Sequence, residues 1–392
     1  MINENEILLK INPKIPLQIT KDLISIPSYQ EGEMEIKAIE YIANRFKKYQ
    51  LDYDIFSWKG NKIGIVASIG EGKHSLILHS HLDTVPPADS KNWKHDPFLP
   101  YCSGDKLYGL GACDDKGSLA SMLSTFESFI PIASKFNGKL ILMAVGGEER
   151  GGLGTQAAIK RGYKAEAVIL GEATSLEPKF AHKGVLRLEI TTKGSSAHAS
   201  MPREGINAIL YMSKLIPKLD KLALAVEKEN EIYTGNASMA ITTIKGGTAL
   251  NMIPDTCSIS IDRRMVPGQT EEMIAEKIEQ VLKEYKLENP AINIEMKKIR
   301  CTRPAITELS EPITKLVLRV VGEEFGKKII PTGLKACCDM TFLRNEGNMP
   351  VVIIGPGDIG MAHKKNEYVD IESLYKASRI YGKIAIEWLS RK

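Results

Sequence analysis

Short apolar runs alternate with segments of helical period, and this alternation limits the fold more than any other feature of the chain. KIGIVASI (62–69), HSLILHS (74–80), KLILMAVGG (139–147) and AEAVILGEA (165–173) read as strands. EMEIKAIEYIANRFKKY (33–49) and KGSLASMLSTFESFI (116–130) carry apolar residues at helical spacing, and a further helix is expected from about 154. Strands alternating with helices imply a mainly parallel sheet with helices on both faces. The order changes near 184. GVLRLEITTKG (184–194) is a strand of alternating character, followed by a helix near 205–227, strands near 237–246 and 255–263, a helix near 270–287 and a strand near 291–299. That order, βαββαβ, is expected to form a small ferredoxin-like domain. The first pattern then returns, with a helix near 311–324, PVVIIG (350–355) and a terminal helix near 370–389. The expected organisation is an α/β catalytic domain of residues 1–183 and 300–392, interrupted by an inserted domain at 184–299.

In open α/β sheets, ligands bind beyond the carboxyl ends of the strands, and here those ends are ionisable. LILHSHLD (76–83) ends in His79, His81 and Asp83; LILMAVGGEER (140–150) ends in Glu148 and Glu149; AVILGEA (167–173) ends in Glu172. YGLGACDDKGSL (108–119) places Asp114 and Asp115 just before a helix, and GPGDIGMAHKKNEYVD (355–370) places His363 in a loop after a strand. Carboxylates converging on one sheet edge repel one another unless cations neutralise them. Imidazole with carboxylate is a donor set that suits zinc and related ions. A dinuclear metal site therefore accounts for the group better than unrelated surface residues do.

Composition narrows the classes. With 52 basic and 48 acidic residues the net charge is only +4, and no long cationic block marks a nucleic-acid partner. The six cysteines form no CxxC pair, which suits reduced thiols in the cytoplasm. MINENEILLKINPKIPLQ (1–18) has no apolar core for a signal peptide, and no stretch of 18 apolar residues suggests a membrane span. No serine nucleophile elbow appears, which argues against covalent catalysis.

The motifs HLDTVP, GLGACDDKGSLA, GGEERGG, GEAT and AHKKNEYV occur in the order found in the M20 family of metallopeptidases and deacylases. The chain resembles that family from LISIPSYQEGE (23–33) to NEYVDIESL (366–374), most closely its acetylornithine deacetylase and succinyl-diaminopimelate desuccinylase branch. GSSAHASMPREGINAI (194–209) and GGTALNMIPDTCSISIDRR (246–264) extend the likeness through the insertion. The resemblance implies a zinc-peptidase-like catalytic domain with a lid and dimerisation domain. It implies two divalent ions, zinc by default with cobalt or manganese as alternatives. His81 and Glu172 would hold one ion, Glu149 and His363 the other, and Asp114 would bridge them. Glu148 would be the general base and Asp83 would orient His81, while His198, Asn251 and Arg263 would contact substrate, with Arg264 as the alternative to Arg263. The Asp114–Asp115 peptide matches a position that the family holds in the cis form, and His79 departs from the family and reads as structural.

The implied activity is hydrolysis of the amide bond of an N-acyl amino acid by a metal-activated water, in a homodimer joined through the insertion. A dipeptidase or carboxypeptidase of the same family is the near alternative, and a non-catalytic ligand-binding relative a further one. HSH (79–81) also mimics the strand-end HxH of TIM-barrel amidohydrolases, but the βαββαβ segment argues against eight βα units.

Overall fold

The computed structural model describes residues 12, 14–29, 33–87 and 93–391. Residues 1–11, read above for a signal peptide, and residues 30–32 and 88–92 lie outside the described residues. The chain divides into two compact units. Met1–Phe180, Thr307–Pro331 and Cys338–Lys392 form the first, and Ala181–Ile306 with Thr332–Cys337 the second.

The main sheet of the first unit contains β1 (Tyr53–Trp58), β2 (Asn61–Ile69), β3 (His74–His81), β6 (Gly138–Val145), β7 (Ala167–Leu170), β19 (Val351–Ile353) and the start of β8 (Lys179–His182). Their order is β1-β2-β6-β3-β7-β19-β8. The four central strands β6, β3, β7 and β19 are parallel, whereas β1, β2 and β8 are antiparallel to their neighbours. The antiparallel pair at one side has a local cause. Lys59 (φ 49°) and Gly60 (φ 89°) form a two-residue hairpin turn with both φ positive, and a turn that short can join only antiparallel strands.

Leu76, Ile77 and Leu78 of β3 are fully buried, as expected for a strand covered on both faces. The helices of this unit are α1 (Lys14–Ile24), α2 (Glu33–Lys48), α3 (Lys116–Phe129), α4 (Leu153–Lys160), α7 (Pro312–Phe325), α8 (Met340–Asn345) and α9 (Ile371–Leu389). Small hydroxyl residues let α3 and α9 approach closely. Ser121 Oγ donates to Leu374 O and Thr125 Oγ1 to Ser378 O, both at 3.0 Å, so each buried hydroxyl finds an acceptor on the facing helix. The short strands β4 (Tyr101–Ser103), β5 (Lys106–Tyr108) and β20 (Tyr368–Asp370) form a separate ribbon that carries the loop after His363 back beside the segment before Asp114.

The second unit is a four-stranded antiparallel sheet of β9 (Gly184–Lys193), β13 (Ser238–Gly246), β15 (Thr256–Met265) and β16 (Asn293–Thr302), in the order β13-β15-β9-β16. Alternation sorts its faces. Leu186, Leu188 and Ile190 of β9 are buried with Ile259 and Ile261 of β15, under Met212, Leu215 and Leu219 of α5 (Ala208–Val226) and Ile274 and Ile278 of α6 (Glu271–Glu288). Both helices begin on capping side chains: Asn207 Oδ1 accepts from Leu210 N, and Thr270 Oγ1 from Met273 N. Shorter strands complete the unit: β10 (Ala197–His198) with β14 (Met252–Ile253), β11 (Asn230–Glu231) with β12 (Gly235–Asn236), and β17 (Ala305–Ile306) with the end of β8, beside β18 (Thr332–Leu334). None of the six cysteines is in a disulfide. Among the described residues, no helix is long and apolar enough to cross a membrane.

His182, at the end of β8, is fully buried; its Nδ1–H donates to Lys183 O at 2.8 Å, and burial lowers its pKa to about 4. The unfolded chain takes up a proton here below about pH 6.5, which the folded chain refuses until about pH 4. Stability from neutral His182 is therefore complete above about pH 6.5 and is lost as the pH falls through 4, by up to roughly 3 kcal/mol. Urea unfolding at pH 7.5 and at pH 4.5 should show a smaller acid-induced loss in His182→Gln than in the wild type.

Candidate metal centre

Register explains why distant residues meet. β3 and β6 run parallel with His81 opposite Val145, and β3 and β7 with His79 opposite Leu170, so their carboxyl ends are level. His81 is the last residue of β3, while Glu148 and Glu149 follow β6 and Glu172 follows β7 within three or four residues. Asp114 and Asp115 precede α3 across a cis peptide, and His363 lies in the loop before β20 with φ 61°. A non-glycine residue held in that region costs about 1–3 kcal/mol, which the surrounding contacts must offset.

The two oxygens of Asp114 face different imidazoles. Oδ1 is 3.0 Å from His81 Nε2 and Oδ2 is 3.4 Å from His363 Nε2, while Glu149 Oε1 is 2.8 Å from that same His363 nitrogen. Two donor groups result, His81–Asp114–Glu172 and Asp114–Glu149–His363, and within each the donor atoms lie within 4.8 Å of one another. Asp83 approaches His81 most closely through its backbone. His81 Nδ1 is closest to the Asp83 backbone carbonyl, at 2.9 Å, with the Asp83 carboxylate at 3.6 Å. That carboxylate instead accepts the amides of Glu148 and Glu149, at 3.1 and 3.2 Å, and so shapes the turn from which these two side chains diverge.

Charge is out of balance at this edge. Burial opposes a charge on His81, yet its bond to Asp114 and the nearby Asp83 carboxylate lift its pKa well above the usual value. Hydrogen bonds to Asp114 and Glu149 push His363 up to about 10. Burial would raise Asp114, but the two imidazoles outweigh it and hold the carboxyl below its ordinary range. Glu148 is pushed well above the usual carboxyl range by loss of solvent and then by Asp339. Glu172 is pushed up by burial and then by Asp114 and Glu148. Burial raises Asp115 to about 7. An excess of crowded carboxylates, two imidazoles and oxygen donors shared between two clusters together fit a pair of divalent cations.

One feature escaped the sequence reading. Glu367 is buried and accepts three amides of the Asp114 loop, from Gly111, Cys113 and Asp114. The only sequence signal was an acid one residue before a strand in NEYV. His79 turns away from both donor groups: its Nε2–H donates to Thr155 Oγ1 at 2.8 Å, and the Thr155 hydroxyl donates to Asp339 Oδ2 at 2.5 Å.

The remaining sequence candidates lie in the second unit. His198 pairs with Met252 across the β10–β14 ribbon, and its Nδ1 is 2.7 Å from Ser200 Oγ. Asn251, beside it, accepts the Ala199 amide on its carbonyl. Arg263 is 1% exposed and stands on the inward face of β15 with Cys257, Ile259 and Ile261. Its guanidinium is taken up by Glu229 Oε2 at 2.7 Å and Gln269 Oε1 at 3.2 Å. Arg264 points the other way, partly exposed, with Nε on Asp262 at 2.7 Å.

The α/β sheet thus carries two groups of candidate cation donors at its carboxyl edge, the place where a hydrolytic metal centre would stand. The family model described as Peptidase family M20/M25/M40 matches residues 77–387, and the chain belongs to this family. An acetylornithine deacetylase of Buchnera aphidicola subsp. Schizaphis graminum is 30% identical over 387 residues, covering 95% of this chain and 98% of the relative. A probable succinyl-diaminopimelate desuccinylase of Staphylococcus aureus strain MSSA476 is 26% identical, covering 97% of this chain and 98% of the relative. Among solved structures, the M20 family metallo-carboxypeptidase Sso-CP2 from Sulfolobus solfataricus shares the fold with a TM-score of 0.76 at 20% identity, over 94% of this chain and 98% of that one. A dinuclear metal-binding peptidase of the M20 family from Bacillus subtilis does so with a TM-score of 0.73 at 17% identity, over 96% and 98%.

Adding zinc to chelator-treated protein should raise the unfolding temperature, by the equivalent of about 2.7 kcal/mol at a hundredfold excess over the dissociation constant. Differential scanning fluorimetry should show that Asp114→Asn removes most of this gain, because Asp114 serves both donor groups.

Proposed function

We propose that this enzyme hydrolyses the amide bond of an N-acyl amino acid. The observation that carries the proposal is the shared carboxylate of Asp114 between two donor groups, with Glu148 beside them and outside both. The names of the deacetylase and desuccinylase relatives support the substrate class. His81, Glu172 and one oxygen of Asp114 would hold one ion; His363, Glu149 and the other oxygen would hold the second. Two such ions supply a polarised carbonyl and a water whose pKa falls toward about 7, with zinc the first candidate and cobalt or manganese suited by the same donors. Glu148 takes the proton from the attacking water and returns it to the departing amine nitrogen. Asp83 keeps Glu148 free for this work, because its grip on both amides turns the Glu149 carboxylate toward His363.

On the second unit, we assign the substrate carbonyl to His198 and a neighbouring polar contact to Asn251. For a substrate carboxylate we favour Arg264, since Arg263 is engaged inside its own core and a partly exposed guanidinium can make two parallel bonds. The free edge of β13 supports pairing with a second copy of the chain, which would give a closed two-fold dimer. Six cysteines outside any disulfide suit a reducing cytoplasm. A di-peptidase of the same fold from Saccharomyces cerevisiae favours a second reading, cleavage of dipeptides.

A mass-spectrometric screen of N-acetyl, N-succinyl and N-formyl amino acids and of dipeptides, on metal-reconstituted enzyme, should release a carboxylic acid and a free amino acid. Release of two amino acids instead would select the dipeptidase. Glu148→Gln should keep both ions by elemental analysis while kcat falls about 10²–10⁴-fold. Light scattering should give twice the 43.3 kDa chain mass, and a monomer would reject the dimer.

A further inference from the structure

Glu367 is 1% exposed, and both its carboxylate oxygens are spent on backbone. Oε1 accepts the amides of Cys113 at 2.8 Å and Asp114 at 3.0 Å, and Oε2 accepts the amide of Gly111 at 3.0 Å. The Glu367 carbonyl accepts a fourth amide, from Gly109, at 3.0 Å. The receiving segment is a loop without regular secondary structure, whose glycines hold conformations that side chains rarely adopt: φ 152° at Gly109 and 80° at Gly111. Buried amides in such a loop need acceptors from elsewhere in the chain.

The position of Glu367 matters as much as its bonds. It follows His363 by four residues and immediately precedes β20, which pairs with β5 as Tyr368↔Tyr108 and Val369↔Leu107. The ribbon sets the coarse alignment of the two segments, and the carboxylate fixes the last turn before Asp114. One side chain thus ties the loop that carries His363 to the loop that carries Asp114, two of the three residues of the second donor group.

We propose that Glu367 is a positioning residue of the metal centre, bracing the Asp114 and His363 loops so that both donor groups are formed before any cation arrives. This rests on the metal-centre reading above and explains how one carboxylate comes to serve both groups.

The test compares Glu367→Gln and Glu367→Asp with the wild type by zinc titration calorimetry, by thermal unfolding of the metal-free proteins and by kinetics at saturating zinc. Gln keeps the shape but sets an NH₂ group against a backbone amide, and Asp is one methylene short. Zinc affinity should fall about 10–100-fold in both, with the metal-free unfolding temperature little changed in Glu367→Gln. Trp388→Phe removes a bond of the same unit, to Ser75 O near the start of β3, at the end of that strand away from His81. It should lower the metal-free unfolding temperature and leave zinc affinity unchanged. Should the glutamine variant fail to fold, hydrogen exchange of wild-type metal-free protein decides. A protected peptide over residues 109–115 supports the brace, and one that exchanges at the rate of an open loop overturns it. Unchanged zinc affinity in a folded Glu367→Gln overturns the brace alone. A wild type that binds no zinc, cobalt or manganese overturns the metal reading, and the brace with it.

Discussion

The first unit is organised around one carboxylate held between two imidazoles. Asp114 presents one oxygen to His81 and the other to His363. Both contacts need β3 to end level with its parallel neighbours and the His363 loop to return from the far end of the chain. A buried carboxylate flanked by further acids is costly in isolation. Its persistence here means that positive charge belongs to the centre as surely as the side chains do. Metal-free, the imidazoles supply that charge; in the working enzyme the cations would.

Much of this was legible in the sequence, for identifiable reasons. A strand buried on both faces must be apolar throughout, so the abrupt change from Leu78 to His79, His81 and Asp83 marks the strand's end and the ligand edge together. The two-residue turn at Lys59–Gly60 was harder to see. A lysine at positive φ carries no compositional warning, and the antiparallel outer strands went unexpected. Strand parity contained more than was drawn from it. Arg263 shares the phase of Ile259 and Ile261, so it must face the core and find a partner there, and Glu229 provides it. The role of Glu367 could not be read at all. An acid that accepts backbone amides leaves no mark on the segment it serves, and that segment lies at the opposite end of the first unit's sequence.

His79 shows how a polar residue can sit one turn of the pleat behind a ligand without joining it. Thr155 stands between its imidazole and the Asp339 carboxylate, giving its proton to the acid and accepting one from the ring. Burial lowers the imidazole to about 3, so the ring stays neutral and the network stays directional. α4, which carries Thr155, begins directly after the turn bearing Glu148 and Glu149.

The second unit separates Glu172 from His363 along the chain. At roughly 5–20 residues per second of synthesis, a ribosome completes that whole unit after making the first donor group and before making the second. The nascent polypeptide therefore holds His81, Asp114 and Glu172 for a time with neither His363 nor Glu367. The second donor group can therefore close only after the C-terminal segment has left the exit tunnel.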